Sequence, residues 1–317
     1  MAGGSFTSMT PGFLHSVSPL SNLSDDWNAS RNILERMSAP HGAVTDTIPF
    51  LSRALVTTVV GVVAGCLISA AHGFLEFTLF HLIEYLHRIG KARRLAPSFP
   101  VTMNNYRKED FLAVAVWLMP LSAFAYSNRQ IYADKMKFSG DILGCWLYAF
   151  TMMVLHDTYF YTVHSLMHRI KALFSTFHAG HHTTRGDLTV YATAFGDLFD
   201  VALTFGPFYF AVFYYYAHEN VSWDPLAWVM LLWALNMVDM IGHCGYDLPV
   251  WVFGPASLGV LLVPLAQRSK HHYIHHLDPR FNRALYFTWW DRLGGTFREH
   301  HPKVVEKRDS GKNPVAD

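Results

Sequence analysis

The sequence is poor in charge. Lys, Arg, Asp and Glu make up 15% of its 317 residues, against roughly 25% in ordinary soluble domains. Basic and acidic residues nearly cancel, at 25 and 24, and no basic tract occurs, so no nucleic-acid partner is expected. Cysteine is scarce too. Cys66, Cys145 and Cys244 form an odd, scattered set in or beside apolar runs, which argues against a disulfide framework and shows no metal-like spacing. The N-terminus has no basic segment ahead of an apolar core, so no cleaved signal peptide is expected. Ala2 rules out N-myristoylation. No segment has a convincing strand period, and no internal repeat is visible.

Apolar residues fill the space that charge leaves, at 51%. Residues 1–48 are rich in Ser, Asn, Pro and Gly and are expected to be poorly ordered. Residues 49–140 read as N-terminal membrane helices. They hold an apolar run from Leu55 to Leu82 that exceeds the roughly 20 residues a bilayer span needs, and a shorter one from Phe111 to Tyr126 that contains Pro120. Residues 141–300 read as the catalytic domain and 301–317 as a polar tail. Within 141–300, the run Ile142 to Leu155 continues without a breaker into "HDTYFYTVHSLMH". Val201 to Ala217 and Leu226 to Ile241 flank the short turn "HENVSWDP" as a helical hairpin, and Val250 to Ala266, broken by Gly and Pro, reads as interfacial or re-entrant. The fold expected is all-α: an integral membrane helical bundle of about four to five spans or re-entrant helices, with a cytosolic histidine-rich cap.

Histidine is the anomaly, with 19 copies. "SKHHYIHHLDP" concentrates several of them, and it is not alone. "HSLMH" holds His164 and His168, "HAGHH" holds His178, His181 and His182, "GHCGYDLP" holds His243, and "HHYIHH" repeats the HxxHH spacing with His272, His275 and His276. On a helix, residues four apart lie about 40° from eclipsed, so His164 and His168 can present two imidazoles to one metal or to two neighbouring metals. In HxxHH the i, i+3 pair is expected to face one way, with the adjacent histidine turned about 100° further. Neutral imidazole suits Zn, Cu, Fe and Ni. Nine such donors exceed what one first-row ion takes, so two ions are inferred. His156 and His271 are further candidates at the margin of the set. His72, His81 and His87 read as satisfied core residues, and His15, His41, His300 and His301 as solvated ones. Ligating histidines hand their second ring nitrogen to a carboxylate or carbonyl. Asp157, Asp187, Asp239, Asp278 and Asp291 are near enough in sequence, with Asp239, one turn before His243, the strongest of them.

At these residues the sequence resembles the fatty acid hydroxylase/sterol desaturase superfamily, nearest its sterol C4-methyl oxidase branch, over roughly 143–298. The pattern HxxxH, HxxHH, an isolated His in a Gly-Tyr context, then HxxHH is met in order. One departure is Ser165, where the family often has Arg. The resemblance implies a non-haem centre of two Fe, O2 as co-substrate, and oxidation of a C–H bond of a membrane lipid: a sterol first, then sphingoid or fatty acyl chains. It also implies an endoplasmic reticulum membrane location. Electrons would come from NAD(P)H through a reductase or small b-type cytochrome, since the chain carries no HPGG haem motif and no flavin or nicotinamide motif. A His-rich metal transporter or a non-catalytic scaffold are the readings from other classes. Transporters place ionisable ligands mid-membrane, whereas these boxes fall at helix ends.

The hairpin returns the chain to the side it left, so all four histidine groups share one face. That face is basic, with Arg169, Lys171, Arg268, Lys270, Arg280 and Arg283 among its residues, and the hairpin turn has neither Lys nor Arg. By the positive-inside rule the boxes are cytosolic. The sequon Asn220-Val-Ser222 in the turn should therefore become glycosylated when a spacer lifts it from the bilayer. Protease cleavage of the turn in sealed microsomes would reverse the orientation.

Overall fold

The computed structural model describes residues 43–96, 108–184, 188–193, 198–248 and 265–304. The chain divides into two units, 1–56 and 57–317. Of the first, only helical residues 43–56 are described, and the histidine groups lie wholly in the second. The expected re-entrant segment 250–266 falls almost entirely outside the described residues, as does Asp187.

Helices dominate. They are α1 (Ala43–Arg88), α2 (Lys108–Ser127), α3 (Arg129–Lys135), α4 (Ile142–Arg169), α5 (Leu198–Thr204), α6 (Gly206–His218), α7 (Pro225–Gly242), α8 (Ser269–Leu277) and α9 (Trp289–Leu293). Two short strands, β1 (Arg93–Arg94) and β2 (Tyr246–Asp247), pair antiparallel. They are too short for any period-2 pattern to show in the sequence. The run after Ile142 is one helix of 28 residues, as its unbroken sequence predicts, capped where Asp141 Oδ1 accepts from Gly144 N at 2.9 Å. The first arm of the expected hairpin is not one helix. It breaks at Phe205 because Pro207, in the first turn of α6, cannot donate to the turn before it.

Among the described residues, two helices are long and apolar enough to cross a membrane: 52–88 within α1, and α7. Only 17% of the most apolar window of the first is buried within the protein. Large apolar side chains such as Leu67 and Phe74 stand exposed along it, which suits contact with hydrocarbon. His81 and His87, expected in the core, are instead exposed on this helix, where their positions turn away from the bundle. Gly61 and Gly65 let α1 approach α2 closely. A Cβ at either would lie 2.8 Å from a backbone oxygen of α2, that of Met119 or of Ala115, the packing that small residues four apart permit.

α4 and α7 form the centre of the bundle. Ala149, Met153 and Phe160 of α4 pack with Leu231, Leu235 and Val238 of α7, and with Leu285, Tyr286 and Phe287 of the loop before α9. Two buried carboxylates hold that loop. Asp291 accepts from the N–H of Arg283 at 2.7 Å and of Ala284 at 3.0 Å. Asp157 accepts from Leu285 at 2.9 Å, Tyr286 at 2.8 Å and Phe287 at 3.2 Å. The successive N–H groups of 283–287 thus have no β or helical partner and are satisfied by side chains instead. At the opposite end of the bundle, Asp224 caps α7 through Leu226 N at 2.8 Å and also accepts from Ser139 N at 2.8 Å, tying the hairpin turn to the start of α4.

Asp157→Ala should strip three buried N–H groups of their acceptor, at roughly 1–3 kcal/mol each. The purified variant is expected to melt well below the parent in a thermal scan. An unchanged melting temperature would show that the loop has another support.

Candidate metal centre

The histidine boxes converge. One group brings together His164, His168, His178, His182 and His275, and a second brings together His181, His243, His272 and His276; within each group one ring nitrogen per residue lies within 4.8 Å of all the others. All nine residues are buried except His168, which is half-buried.

The partition differs from the expected one. The i, i+4 pairs His178/His182 and His272/His276 share a group, and the i+3 residue between them, His181 or His275, goes to the other. On an α-helix, i+4 departs from eclipsed by about 40° and i+3 by about 60° in the opposite sense, so i+4 is the nearer neighbour. In the first HxxHH box, a π-helical turn over Phe174–His178 and a 3-10 turn over His181–Thr183 adjust the winding further. Each box therefore spans both groups and binds them into one structure.

The first group has a definite shape. The His168 ring stands 4.7 Å from His164, 4.7 Å from His178, 4.8 Å from His182 and 4.9 Å from His275, centroid to centroid. Those four form a closed circuit: His164–His178 at 4.6 Å, His178–His182 at 4.7 Å, His182–His275 at 4.8 Å and His275–His164 at 4.7 Å. This is a square pyramid with His168 at the apex. Adjacent Nε2 atoms are 2.9 Å (His164–His178), 3.0 Å (His164–His168) and 3.2 Å (His182–His275) apart. Imidazole–metal bonds of about 2.1 Å put donors at right angles to one another about 3.0 Å apart, so the spacing fits a first-row ion. In the second group, His272 Nε2 lies 2.8 Å from His243 Nε2, and His181 Nε2 lies 3.4 Å from it. His276 Nε2 is buried without a hydrogen-bond partner, an orphaned donor atom that a metal would satisfy.

The outward nitrogens explain why the inward ones carry lone pairs. Nδ1–H of His164 donates to Arg283 O at 2.6 Å, that of His243 to Asp239 O at 2.9 Å, that of His275 to Phe281 O at 2.7 Å and that of His276 to Thr184 O at 3.0 Å. A carbonyl only accepts, so these partners assign the proton to Nδ1 and leave Nε2 as the ligand atom. Burial, and then neighbouring imidazoles, hold His182, His272 and His276 well below the usual histidine range, and burial does the same to His275. Neutral, unprotonated imidazole is the metal-binding form.

Asp200 was not among the sequence candidates. It is buried on α5, with Oδ1 3.0 Å from His178 Nδ1 of the first group and Oδ2 3.9 Å from His181 Nδ1 of the second. One carboxylate thus faces both groups. The available signal was a lone Asp on the short apolar segment "LFDVALT". Of the expected carboxylates, Asp239 lies beside His243, with Oδ1 at 3.4 Å from Nδ1. Asp157 and Asp291 hold the 283–287 loop, and Asp278 pairs with Arg280 and Arg298; none of the three is bonded to a box histidine. Asp157 and Asp291 act on the site through the backbone, as the loop they hold offers Arg283 O to His164. His156 lies outside both groups. Its Nδ1 is 3.0 Å from Tyr286 Oη and its Nε2 3.2 Å from Thr204 O. His271 is also outside, its Nδ1 accepting from Arg268 N at 3.2 Å and its Nε2 3.1 Å from Glu299.

Two cavities open beside the groups. A small one of about 30 Å³ is lined by His164, His178, His181, His243, His272 and Asp200, among others, so it touches donors of both groups. A volume of roughly 10–15 Å³ on this measure holds one water, so the space admits a diatomic molecule. A larger one of about 230 Å³, mostly apolar, shares Thr193, Val201, Phe205 and Asp239 with it.

Fold and site together define a helical protein with two all-histidine groups that could each hold a metal ion, set against an apolar cavity. Residues 149–296 match the family model described as fatty acid hydroxylase. Relatives include methylsterol monooxygenase 1 of Rattus norvegicus, 30% identical over 54% of this chain and 50% of that protein. A cholesterol 25-hydroxylase-like protein of Danio rerio is 30% identical over 57% and 66%, and lathosterol oxidase of Homo sapiens is 23% identical over 65% and 60%. The chain spans about half to two thirds of the length of these relatives. No solved structure matches it significantly.

Asp200→Ala should lower metal affinity in both groups by about 10–100-fold, the usual effect of removing a partner of a ligating histidine. His156→Ala should leave metal content unchanged. Metal analysis after graded chelation of the purified proteins distinguishes the two, and full retention by Asp200→Ala would deny it the orienting role.

Proposed function

We propose that the chain is an oxygen-dependent lipid oxygenase with two iron ions, one in each histidine group, acting on a membrane lipid and most strongly on a sterol. One observation carries the reading: the cavity touching both donor groups shares a wall with a larger apolar cavity formed by the helix bundle. The names of the relatives, sterol oxidising activities in each case, support it. A storage or transport role gives no reason for the apolar cavity beside the metals.

His164, His168, His178, His182 and His275 would hold one ion, and His181, His243, His272 and His276 the other. When bound, such a redox-active pair supplies the activation of O2, which redox-inert zinc does not. Overall, one oxygen atom enters the C–H bond as hydroxyl. The other leaves as water with two electrons and two protons from outside. Those electrons are assigned to a b-type cytochrome or reductase docking at the basic cytosolic face of an endoplasmic reticulum protein. The chain's own contribution is positional. Phe160 and Phe205 close the small cavity against the aromatic interior and exclude water. The Nδ1 bonds of His164, His178, His243, His275 and His276 fix those imidazoles so that they need no reorientation during turnover.

Metal analysis of active, detergent-purified protein should give close to two equivalents, natively iron. His275→Ala removes one basal donor of the square pyramid, and His243→Ala removes the donor nearest to His272. Both are expected to abolish lipid oxidation while still inserting in the membrane. A lipid comparison of cells with and without the chain names the substrate. Full activity in either variant at matched protein level, or active protein with one metal or none, would sink the proposal.

A further inference from the structure

The larger cavity is not uniform along its length. Toward the hairpin turn it is lined by Leu118, Phe213 and Trp228. Its lining also includes Tyr209 midway and the polar residues His72, Thr193, Asn236 and Asp239, and two of these, Thr193 and Asp239, also line the small cavity at the histidine groups. Trp228 and Asp239 lie on the same helix, α7, about 16 Å apart at 1.5 Å per residue. The apolar end is therefore remote from the metals, and the polar end adjoins them.

Behind the polar end sits Glu76, a buried carboxylate within α1, the helix whose other faces are exposed and apolar. Thr193 Oγ1 donates to Glu76 Oε1 at 2.9 Å, and His72 Nδ1 lies 3.7 Å from the same oxygen. An ionisable group in a lipid-facing helix is expensive to place and points to function. Neither His72 nor Glu76 falls within the family-matched segment, which begins at residue 149.

From this polarity we infer that the cavity takes a hydroxylated lipid with its oxygen leading. The lipid hydroxyl donates to Asp239 and is flanked by Thr193 and His72, which Glu76 holds in place. The hydrocarbon trails toward Phe213 and Trp228. The carbon presented to the metals is then only a few bonds from that oxygen. A lipid entering tail-first would instead press hydrocarbon on Asp239, Thr193 and His72 and leave its hydroxyl among Phe213 and Trp228, mispairing both ends. The inference rests on the oxygenase reading and adds orientation and regiochemistry to it.

Two measurements on the full chain in lipid nanodiscs test it. In the first, binding of tritiated cholesterol and octadecanol is compared with that of their O-methyl ethers. For at least one pair the alcohol should bind about tenfold more tightly, the worth of about one hydrogen bond. Thr193→Val and Glu76→Gln should shrink that preference without weakening the ether, with metal content unchanged as proof of folding. Preference for the alcohol in neither pair, or an undiminished preference in both variants, overturns the inference. In the second, the oxidised carbon of the cellular product is located by mass spectrometry. Oxidation near the hydroxyl supports the inference. Oxidation at the far end of the chain refutes it while leaving the oxygenase reading intact. If the metal-loaded protein oxidises no lipid at all, the oxygenase reading falls, and the binding comparison still decides which end of a lipid leads.

Discussion

Nine imidazoles, eight buried and His168 half-buried, gathered with ring nitrogens facing one another form the constraint on which the rest of this structure depends. Neighbouring Nε2 atoms 2.8–3.4 Å apart within the groups repel when no cation lies between them, and burial disfavours relief by protonation at His182, His272, His275 and His276. Such an arrangement persists only where the surrounding fold fixes each ring from outside. The structure supplies that restraint through the second ring nitrogen, bonded to a backbone carbonyl in four of the nine histidines and to the Asp200 carboxylate in His178.

The restraint passes outward in layers. His164 is fixed by Arg283 O. The loop carrying Arg283 is fixed by Asp157 and Asp291 through its own N–H groups, and Asp157 belongs to α4, the helix that carries His164. The circuit closes on itself, so buried charge far from any ligand still acts on ring geometry. Asp200 adds a direct link, since one carboxylate faces a histidine of each group. The small cavity is lined by residues of both groups, so both shape it.

The same bundle that orders the histidines also makes the apolar cavity. α7 contributes to each: Leu231 and Val238 to the core with α4, Trp228 and Leu232 to the cavity wall, and His243 at its C-terminal end to the second donor group. A helix that lines the apolar cavity and ends in a histidine of the second group brings the cavity and the histidine groups together.

Much of this was legible in the sequence because it depends on local spacing. The apolar runs predicted α1, α2, α4 and α7, and the order of HxxxH, HxxHH, single His and HxxHH marked nine residues that the fold gathers. Composition alone could not tell that His81 and His87 face outward, since exposure on a helix depends on which side its neighbours cover. Nor could it assign partners. Asp278 is closer to a box in sequence than Asp239 is, yet its carboxylate serves arginines, and those of Asp157 and Asp291 serve the backbone. Asp200, which does face the histidines, lies in an apolar segment beyond the second box. The sequence by itself determined which residue types are available and at what helical phase, because phase is a property of a few consecutive residues. Only the tertiary structure decided which imidazole joins which group, which carboxylate orients them and where the cavity's polar end lies. Each of those depends on distances between segments far apart in the chain, and these are set by packing α1, α4, α5, α7 and α8 together.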